Sequence, residues 1–252
     1  MSGYRLRMNP VDPTPRHAGH PSTPRVWPPA RRGVEGLFTG LARLQRGRAF
    51  HPRGMSFQAT IRTTATGRAL CVLPTDDSAA LVRLSKGAGL PSRVPDVWGL
   101  AFRLPDAYGR DRHQDVLLST SGERPGLRHL LLPATGADRR RYSSLLPYRH
   151  HGRSVLLGAR YAGAHDGSPL RIADLDDAAT AGRLTFEVAV ARVWGPWRTI
   201  ALLTLERRLP AELSQRLRFH PWNTSADLRV MGPMSRLRAP AYEASQRTAA
   251  SE

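Results

Sequence analysis

The stretch that decides the fold is Arg48-Ala49-Phe50-His51-Pro52-Arg53-Gly54, which continues into Met55-Ser56-Phe57-Gln58-Ala59-Thr60-Ile61. It contains a histidine three residues after an arginine, followed by a glycine. The apolar residues beyond the glycine can line one face of a β-strand. The stretch therefore predicts a strand that begins shortly after a histidine.

A second block lies further along the chain. It reads Leu81-Val82-Arg83-Leu84-Ser85-Lys86-Gly87, followed by Pro95-Asp96-Val97-Trp98-Gly99-Leu100-Ala101-Phe102-Arg103. In order and spacing the two blocks resemble the catalase superfamily, whose barrel domain opens with Arg-x-x-His-x-Lys/Arg-Gly and continues with Val-Arg-Phe-Ser and an Asp-x-Arg-Gly-x-Ala-x-Lys/Arg-Phe segment. The resemblance covers roughly residues 40–245. It implies an α+β fold, a single domain formed by a catalase-like antiparallel β-barrel with helical insertions.

The resemblance also implies a site on the distal face of a haem. His51 matches the distal histidine, and a neutral imidazole can take one proton from a peroxide and return it to the leaving oxygen. Arg48 and Arg83 match the arginines that pair with the haem propionates, a use suited to the guanidinium fork. Ser119 stands where catalases have an asparagine beside the distal histidine, and its hydroxyl has a shorter reach.

The proximal side departs from the family pattern. Catalases ligate iron through a tyrosine in an Arg-x-x-x-Tyr-x-Asp-Thr segment on a late helix, and the matching stretch here is 216–224. Pro221 falls on the tyrosine position and cannot ligate iron, which leaves His220 as the candidate ligand, with Tyr242 a further phenol nearby. The tail after Pro221-Trp222 resembles a divergent branch of catalase-related proteins that lacks the tyrosine, and that leaves open whether haem is held.

The secondary structure predicted from periodicity is mostly short strands. A helix is predicted over 34–44 and another over 210–217, where a proline in the first turn precedes Leu213 and Leu217. Residues 142–146 predict a helical turn, and Trp194-Gly195-Pro196-Trp197 predicts a turn with two aromatic anchors on the core. The predicted strands are 57–64, 69–73, 79–85, 99–104, 115–119, 154–162, 183–193 and 199–205.

Composition limits the classes of partner. The net charge is +18, but Lys86 is the only lysine and the arginines are spread along the whole chain, so nucleic-acid binding is not favoured. Cys71 is the single cysteine, which excludes an intramolecular disulfide and predicts a buried small side chain between Leu70 and Val72. No apolar run predicts a membrane span and no secretory signal is recognisable, so a cytoplasmic protein is expected.

The expected domain organisation has three parts. Residues 1–33 contain seven prolines and little apolar periodicity, so they predict a disordered, arginine-rich arm. Residues 34–245 form the catalase-like domain, and residues 246–252 are a C-terminal tail. Full catalases add a wrapping segment and a helical domain after the barrel. Because this chain lacks them, a more open pocket and a monomer or homodimer are expected.

Three functions follow from the sequence. The first is a catalase-related haem-binding protein, a weak peroxidase acting on hydrogen peroxide or organic hydroperoxides. The alternative is a haem-free protein that keeps the catalase fold for binding or structure. The third is a metal-dependent hydrolase of the phosphodiesterase type, suggested by His150-His151 and His165-Asp166 in glycine-rich segments.

Overall fold

The computed structural model describes residues 53–74, 76–87, 89–91, 93–164, 167–225 and 227–231. Its regular elements are ten strands and three short α-helices, with single 3-10 turns at Leu127–His129 and Ile172–Asp174. The strands are β1 Arg53–Thr63, β2 Ser78–Lys86, β3 Trp98–Leu104, β4 Gln114–Thr120, β5 Tyr142–Ser143, β6 Tyr148–His150, β7 Arg153–Tyr161, β8 Thr185–Arg192, β9 Arg198–Arg208 and β10 Leu228–Val230. The helices are α1 Ala65–Leu70, α2 Leu175–Thr180 and α3 Ala211–Arg216.

Eight of these strands close into an antiparallel barrel. The order around the ring is β1-β2-β3-β4-β5-β7-β8-β9, and β9 pairs back with β1. β6 and β10 extend the sheet beside β7. Closure removes the unpaired edges that an open sheet would expose. The predicted α+β class and antiparallel β-barrel are confirmed.

The barrel interior is filled by apolar side chains that lie opposite one another across the strands. Phe57 of β1 pairs with Val82 of β2, which pairs with Phe102 of β3, which pairs with Val116 of β4. All four side chains are fully buried. Since successive side chains of a strand point to opposite faces, this row fixes which residues of β1–β4 face outward.

The helix α1 replaces a predicted strand. The apolar run 69–73 predicts a strand, but Thr64 caps a helix whose backbone packs directly on β9. An added Cβ at Gly67 would lie 2.0 Å from the Ile200 carbonyl oxygen, so only glycine permits this approach. The expected burial of Cys71 is also wrong: this residue ends α1 in the left-handed region and is exposed.

The segment after Arg141 was predicted to be a helical turn and is strand β5 instead. Tyr142 pairs with Thr120 of β4 and with Ala159 of β7, which joins the two halves of the barrel. Its buried hydroxyl donates to the Ala137 carbonyl at 2.8 Å. The short strand was missed because its register depends on partners on both sides and not on local periodicity.

A second apolar layer covers the outer face of β7 and β8. Leu156 of β7 pairs with Ala191 of β8, and Leu145, Leu156 and Ala191 are all buried. Trp197 closes the layer, since an added Cβ at Gly158 would lie 2.7 Å from its indole ring. Only one of the two predicted aromatic anchors is correct, because Trp194 is 77% exposed.

Lys86 closes one end of the barrel. Its ammonium group is buried and donates to the carbonyl oxygens of Leu90, Pro91 and Val94 at 2.9, 3.1 and 3.4 Å. Three converging acceptors suit the three donors of an ammonium group better than the planar fork of arginine. This requirement gives a physical reason for the one lysine of an arginine-rich chain.

Several expectations lie outside the described residues. These are the arm at 1–33, the helix at 34–44, the tail at 246–252 and the boundaries of the domain that they flank. Among the residues that the structure describes, no helix is both long and apolar enough to cross a membrane.

Candidate functional site

The candidate site is the outer face of β1–β4. Four small residues lie opposite one another in one row across these strands. Gly54 of β1 pairs with Ser85 of β2, Ser85 with Gly99 of β3, and Gly99 with Ser119 of β4. We call this row the floor. Because neighbouring strands are about 4.8 Å apart, the row is about 14 Å wide.

Glycine is required at the first floor position. An added Cβ at Gly54 would lie 2.8 Å from both the Leu84 carbonyl oxygen and the Ser85 side chain. Glycine therefore lets β1 and β2 approach closely there. The floor is flat because no floor side chain is larger than serine.

Arg83 lies in the next outer row, two residues along β2 from Ser85. At about 3.4 Å per residue, it is about 7 Å from the floor. Its guanidinium donates to Ser56 Oγ at 3.4 Å and to the Oγ and carbonyl of Ser214 at 3.3 and 3.5 Å. Burial, and then the nearby Arg218, lower the pKa of Arg83 below the usual arginine value. Both effects favour an anion beside this side chain.

A third outer row contains a charged pair with ideal fork geometry. Arg103 Nε donates to Asp115 Oδ1 at 2.7 Å, and Arg103 Nη2 donates to Asp115 Oδ2 at 2.7 Å. The Asp115 side chain is completely buried, and this hydrogen bond raises the pKa of Arg103. A bidentate pair of this kind is among the strong interactions of a protein.

Asp115 also binds the segment that follows α3. The backbone N–H of His220 and the side-chain amide of Asn223 donate to Asp115 Oδ2 at 2.8 and 3.0 Å. In return the backbone N–H of Asp115 donates to the Asn223 carbonyl at 2.8 Å. Three separate parts of the chain therefore meet at one carboxylate.

Residues 211–223, which we call the rim, run along one side of the floor. Ser214 of α3 donates to Ser56 Oγ at 2.8 Å, which holds α3 on β1 and β2. Asp115 holds residues 220–223 on β4. Both attachments are direct hydrogen bonds to the strands.

The predicted site residues have different outcomes. Arg83 and Ser119 lie on the same outer face of β2 and β4. His220 belongs to the rim: its backbone is held by Asp115, its side chain is exposed, and it follows the end of α3 at Arg216 without being helical. Arg48 and His51 lie outside the described residues.

The suggested hydrolase site has little support in the described residues. In the ranges that the structure describes, no group of three or more His, Cys, Asp or Glu side chains could hold a metal ion. His150 is a buried residue of strand β6, and its Nε2–H donates to the Leu70 carbonyl at 2.9 Å. His165 and Asp166 lie outside those ranges.

Sequence reasoning missed the residues that build the rim. Arg103 and Asp115 have opposite charge on neighbouring predicted strands, and that signal could have found their pairing. Ser56 and Ser214 are 158 residues apart in sequence, and Asp115 and Asn223 are 108 apart. Nothing local in the sequence indicates these contacts.

The fold is similar to that of catalases of known structure. A bacterial catalase matches with a TM-score of 0.56 and 15% identity, over 90% of this chain and 62% of its own. A fungal catalase matches at 0.54 and 10%, over 79% and 58% of the two chains. Catalase A from Saccharomyces cerevisiae matches at 0.54 and 11%, over 88% and 65%.

The comparisons find this similarity in the structure and not in the sequence. No family model matches the sequence, and no curated protein matches it. The chain spans less than two thirds of the length of each of these three catalases. At such low identity the comparison shows a catalase-like fold for this protein.

Proposed function

We propose that this protein binds haem against the floor and is a weak peroxidase acting on hydrogen peroxide or an organic hydroperoxide. The observation that carries the proposal is the row of Gly54, Ser85, Gly99 and Ser119, which gives a catalase-like barrel a flat outer surface. A planar ring needs a surface without protruding side chains. The width of the row, about 14 Å, accommodates a ring of porphyrin size.

The residues around the floor suit a haem group. Arg83 offers a half-buried cation beside the row, two residues along β2 from Ser85, where it would pair with a propionate. Ser119 offers a hydroxyl that would donate to a bound oxygen atom. When bound, haem supplies the redox chemistry of peroxide cleavage.

His51 would be the general acid–base residue. Its imidazole would take a proton from the peroxide and return it to the departing oxygen. Ser119 would orient the substrate less firmly than a longer amide side chain would, because its hydroxyl does not reach as far. Turnover is therefore expected to be slow compared with that of a catalase.

Two side chains are candidates for the iron ligand. His220 belongs to a rim that is hydrogen-bonded directly to the strands, and its side chain is exposed. The arginine-x-x-x-tyrosine spacing of the catalase motif also occurs at Arg238 and Tyr242, with a hydroxyl residue, Ser245, at the threonine position. We therefore favour Tyr242 as the ligand over His220.

Haem titration followed by absorption spectroscopy tests the proposal. The wild type should develop a saturable Soret band, and Ser119→Phe should weaken binding at least tenfold because the ring fills the floor. Leu202→Phe is the matched control, since Leu202 is exposed on β9. A wild type that stays colourless would support the haem-free alternative.

Ligand variants separate the two candidates for the iron ligand. Tyr242→Phe should change or abolish the Soret band, whereas His220→Ala should leave it unchanged. The reverse result would establish His220 as the ligand.

Activity measurements then test the reaction. Peroxidase turnover with a dye should be lost in His51→Ala while the Soret band remains. Oxygen evolution from hydrogen peroxide should be weak or absent. Oxygen evolution at a rate typical of catalases would contradict the proposed peroxidase.

A further inference from the structure

We infer that Asp115 is the positioning residue of this site: it fixes the rim beside the floor and so determines how the site receives its ligand. The expected effect of Asp115 on haem binding rests on the proposed function. The buried carboxylate of Asp115 accepts four hydrogen bonds, and none of the donors belongs to the floor.

Both oxygens of the Asp115 carboxylate accept hydrogen bonds. Its two oxygens accept from Arg103 Nε and Nη2, from the backbone N–H of His220 and from the side-chain amide of Asn223, over distances of 2.7–3.0 Å. The side chain has no exposed surface. A buried carboxylate is stable only when donors compensate its charge, and four N–H groups do so here.

The neighbouring Gln114 extends the attachment. Its Oε1 accepts from the backbone N–H of Ser225 at 3.3 Å and from the Tyr108 hydroxyl at 2.9 Å. Its Nε2 donates to the Asn223 carbonyl at 3.5 Å. Two consecutive residues of β4 therefore hold residues 220–225, one from each face of the strand.

The arginine of the pair reaches the rim as well. Arg103 Nη2 donates to the Arg218 carbonyl, and its guanidinium lies 5.6 Å from the centre of the Phe219 ring. After burial, the charge of Arg218 is the second cause that lowers the pKa of Arg83. The Arg103–Asp115 pair thus sets the position of a charge that acts on the arginine beside the floor.

The contacts predict a local effect of losing Asp115. Without the carboxylate, the rim keeps the Ser214 attachment to β1 and the Gln114 contacts to β4, but it loses the side-chain hydrogen bonds that hold His220 and Asn223. Residues 218–225 would then open independently of the barrel, because local segments unfold separately when few buried contacts hold them. The floor would keep its shape, since its register depends on strand pairing.

The test compares Asp115→Asn with Asp77→Asn. Asparagine has the same shape but presents an N–H₂ group where Asp115 accepts hydrogen bonds. Asp77 is the control because its carboxylate also accepts a backbone amide, that of Thr63 at 2.9 Å, away from the rim. Amide hydrogen exchange is measured on both variants and on the wild type, and haem is then titrated into each.

In Asp115→Asn, exchange at residues 218–225 should rise at least tenfold more than exchange in β7 and β8. The haem dissociation constant should rise at least fivefold, with a displaced Soret maximum. Asp77→Asn should show neither change. Unchanged exchange at the rim would overturn the inference, and so would a loosened rim with unchanged haem affinity and Soret maximum.

The two proposals fail in different ways. If the wild type takes up no haem, the proposed function fails, and the exchange rates alone decide whether Asp115 positions the rim. If the wild type takes up haem but the Asp115→Asn rim stays protected, only the positioning role fails.

Discussion

The two outer faces of the barrel are covered in opposite ways. Over β7 and β8 the cover is apolar, with Leu145, Leu156 and Trp197 packed on small side chains. Over β1–β4 the cover is polar, and it is attached through the carboxylate of Asp115 and the hydroxyl of Ser214. One face is thus a second core, whereas the other retains a flat row of small residues.

Arginine has a different role on each face. Arg128 is 2% exposed, and its guanidinium donates to the carbonyls of Arg192, Gly195 and Glu123 while lying 4.7 Å from the centre of the Trp197 ring. Arg83 is half-buried, and its bonds to the serines are long. Arg128 therefore seals the apolar layer over β7 and β8. Arg83 lies beside the floor, where a bound ligand would contact it. Stability should therefore depend on one face and ligand binding on the other.

The largest expected effect is on the apolar face. Leu156→Ala removes a fully buried side chain and should lower the free energy of unfolding by about 3 kcal/mol. Urea unfolding measures this, and haem affinity should not change. Leu202→Ala, at an exposed position of β9, is the control and should cost less than about 0.5 kcal/mol. A loss below about 1 kcal/mol for Leu156→Ala would contradict a packed second core.

The next largest loss of stability is expected for Arg128→Met. The change keeps the apolar stem but leaves three carbonyl oxygens without their donor, which should cost about 2 kcal/mol. The exposed Arg124 gives the matched control, Arg124→Met, with little expected effect. Equal stabilities of the two variants in urea would show that Arg128 does not seal the layer.

Two buried tyrosines should make the stability of the fold sensitive to alkaline pH. Burial raises the pKa of Tyr142 and Tyr148 above the ordinary phenol value of 10.0. Their contribution to stability is therefore complete below pH 10 and is lost as the pH rises from 10 towards the folded pKa values. The expected loss is about 1.4 kcal/mol per pH unit for each tyrosine.

Urea unfolding at pH 9, 10 and 11 measures this slope. Tyr142→Phe should lower the slope between pH 10 and 11 by about a third to a half, because Tyr148 and Tyr108, whose pKa burial also raises, still titrate. The same slope in Tyr142→Phe and in the wild type would mean that other groups cause the alkaline loss.

The smallest effect on stability is expected at Arg83. Arg83→Met should change the free energy of unfolding by less than about 1 kcal/mol, since long hydrogen bonds are lost and the desolvation of a charge is relieved. Haem affinity should nevertheless fall at least tenfold. Arg62→Met, on the exposed surface of β1, is the control for the loss of one positive charge. A strongly destabilised Arg83→Met with normal haem affinity would reverse the assignment of the two faces.

Much of the fold was predictable from local pattern. The alternation from Met55 to Ile61 and from Leu81 to Ser85 defines strands with one buried face, and the resemblance of the two motif blocks places them in a barrel. Local pattern was misleading where the environment decided the outcome. The run 69–73 is apolar enough for a strand, yet a Thr64 cap and the contact of Gly67 with β9 make the preceding residues a helix.

By itself, the sequence determined which residues alternate in and out of the core, because a strand has a side-chain period of two. It also determined where small residues stand on the outer face, at Gly54, Ser85, Gly99 and Ser119. Only the tertiary structure decided that these four residues form one row, because a row depends on the register between strands.

The tertiary structure also decided that the carboxylate of Asp115 holds the rim in place. The partners of this carboxylate on the rim are more than 100 residues away in sequence, and such contacts form only after the barrel has closed.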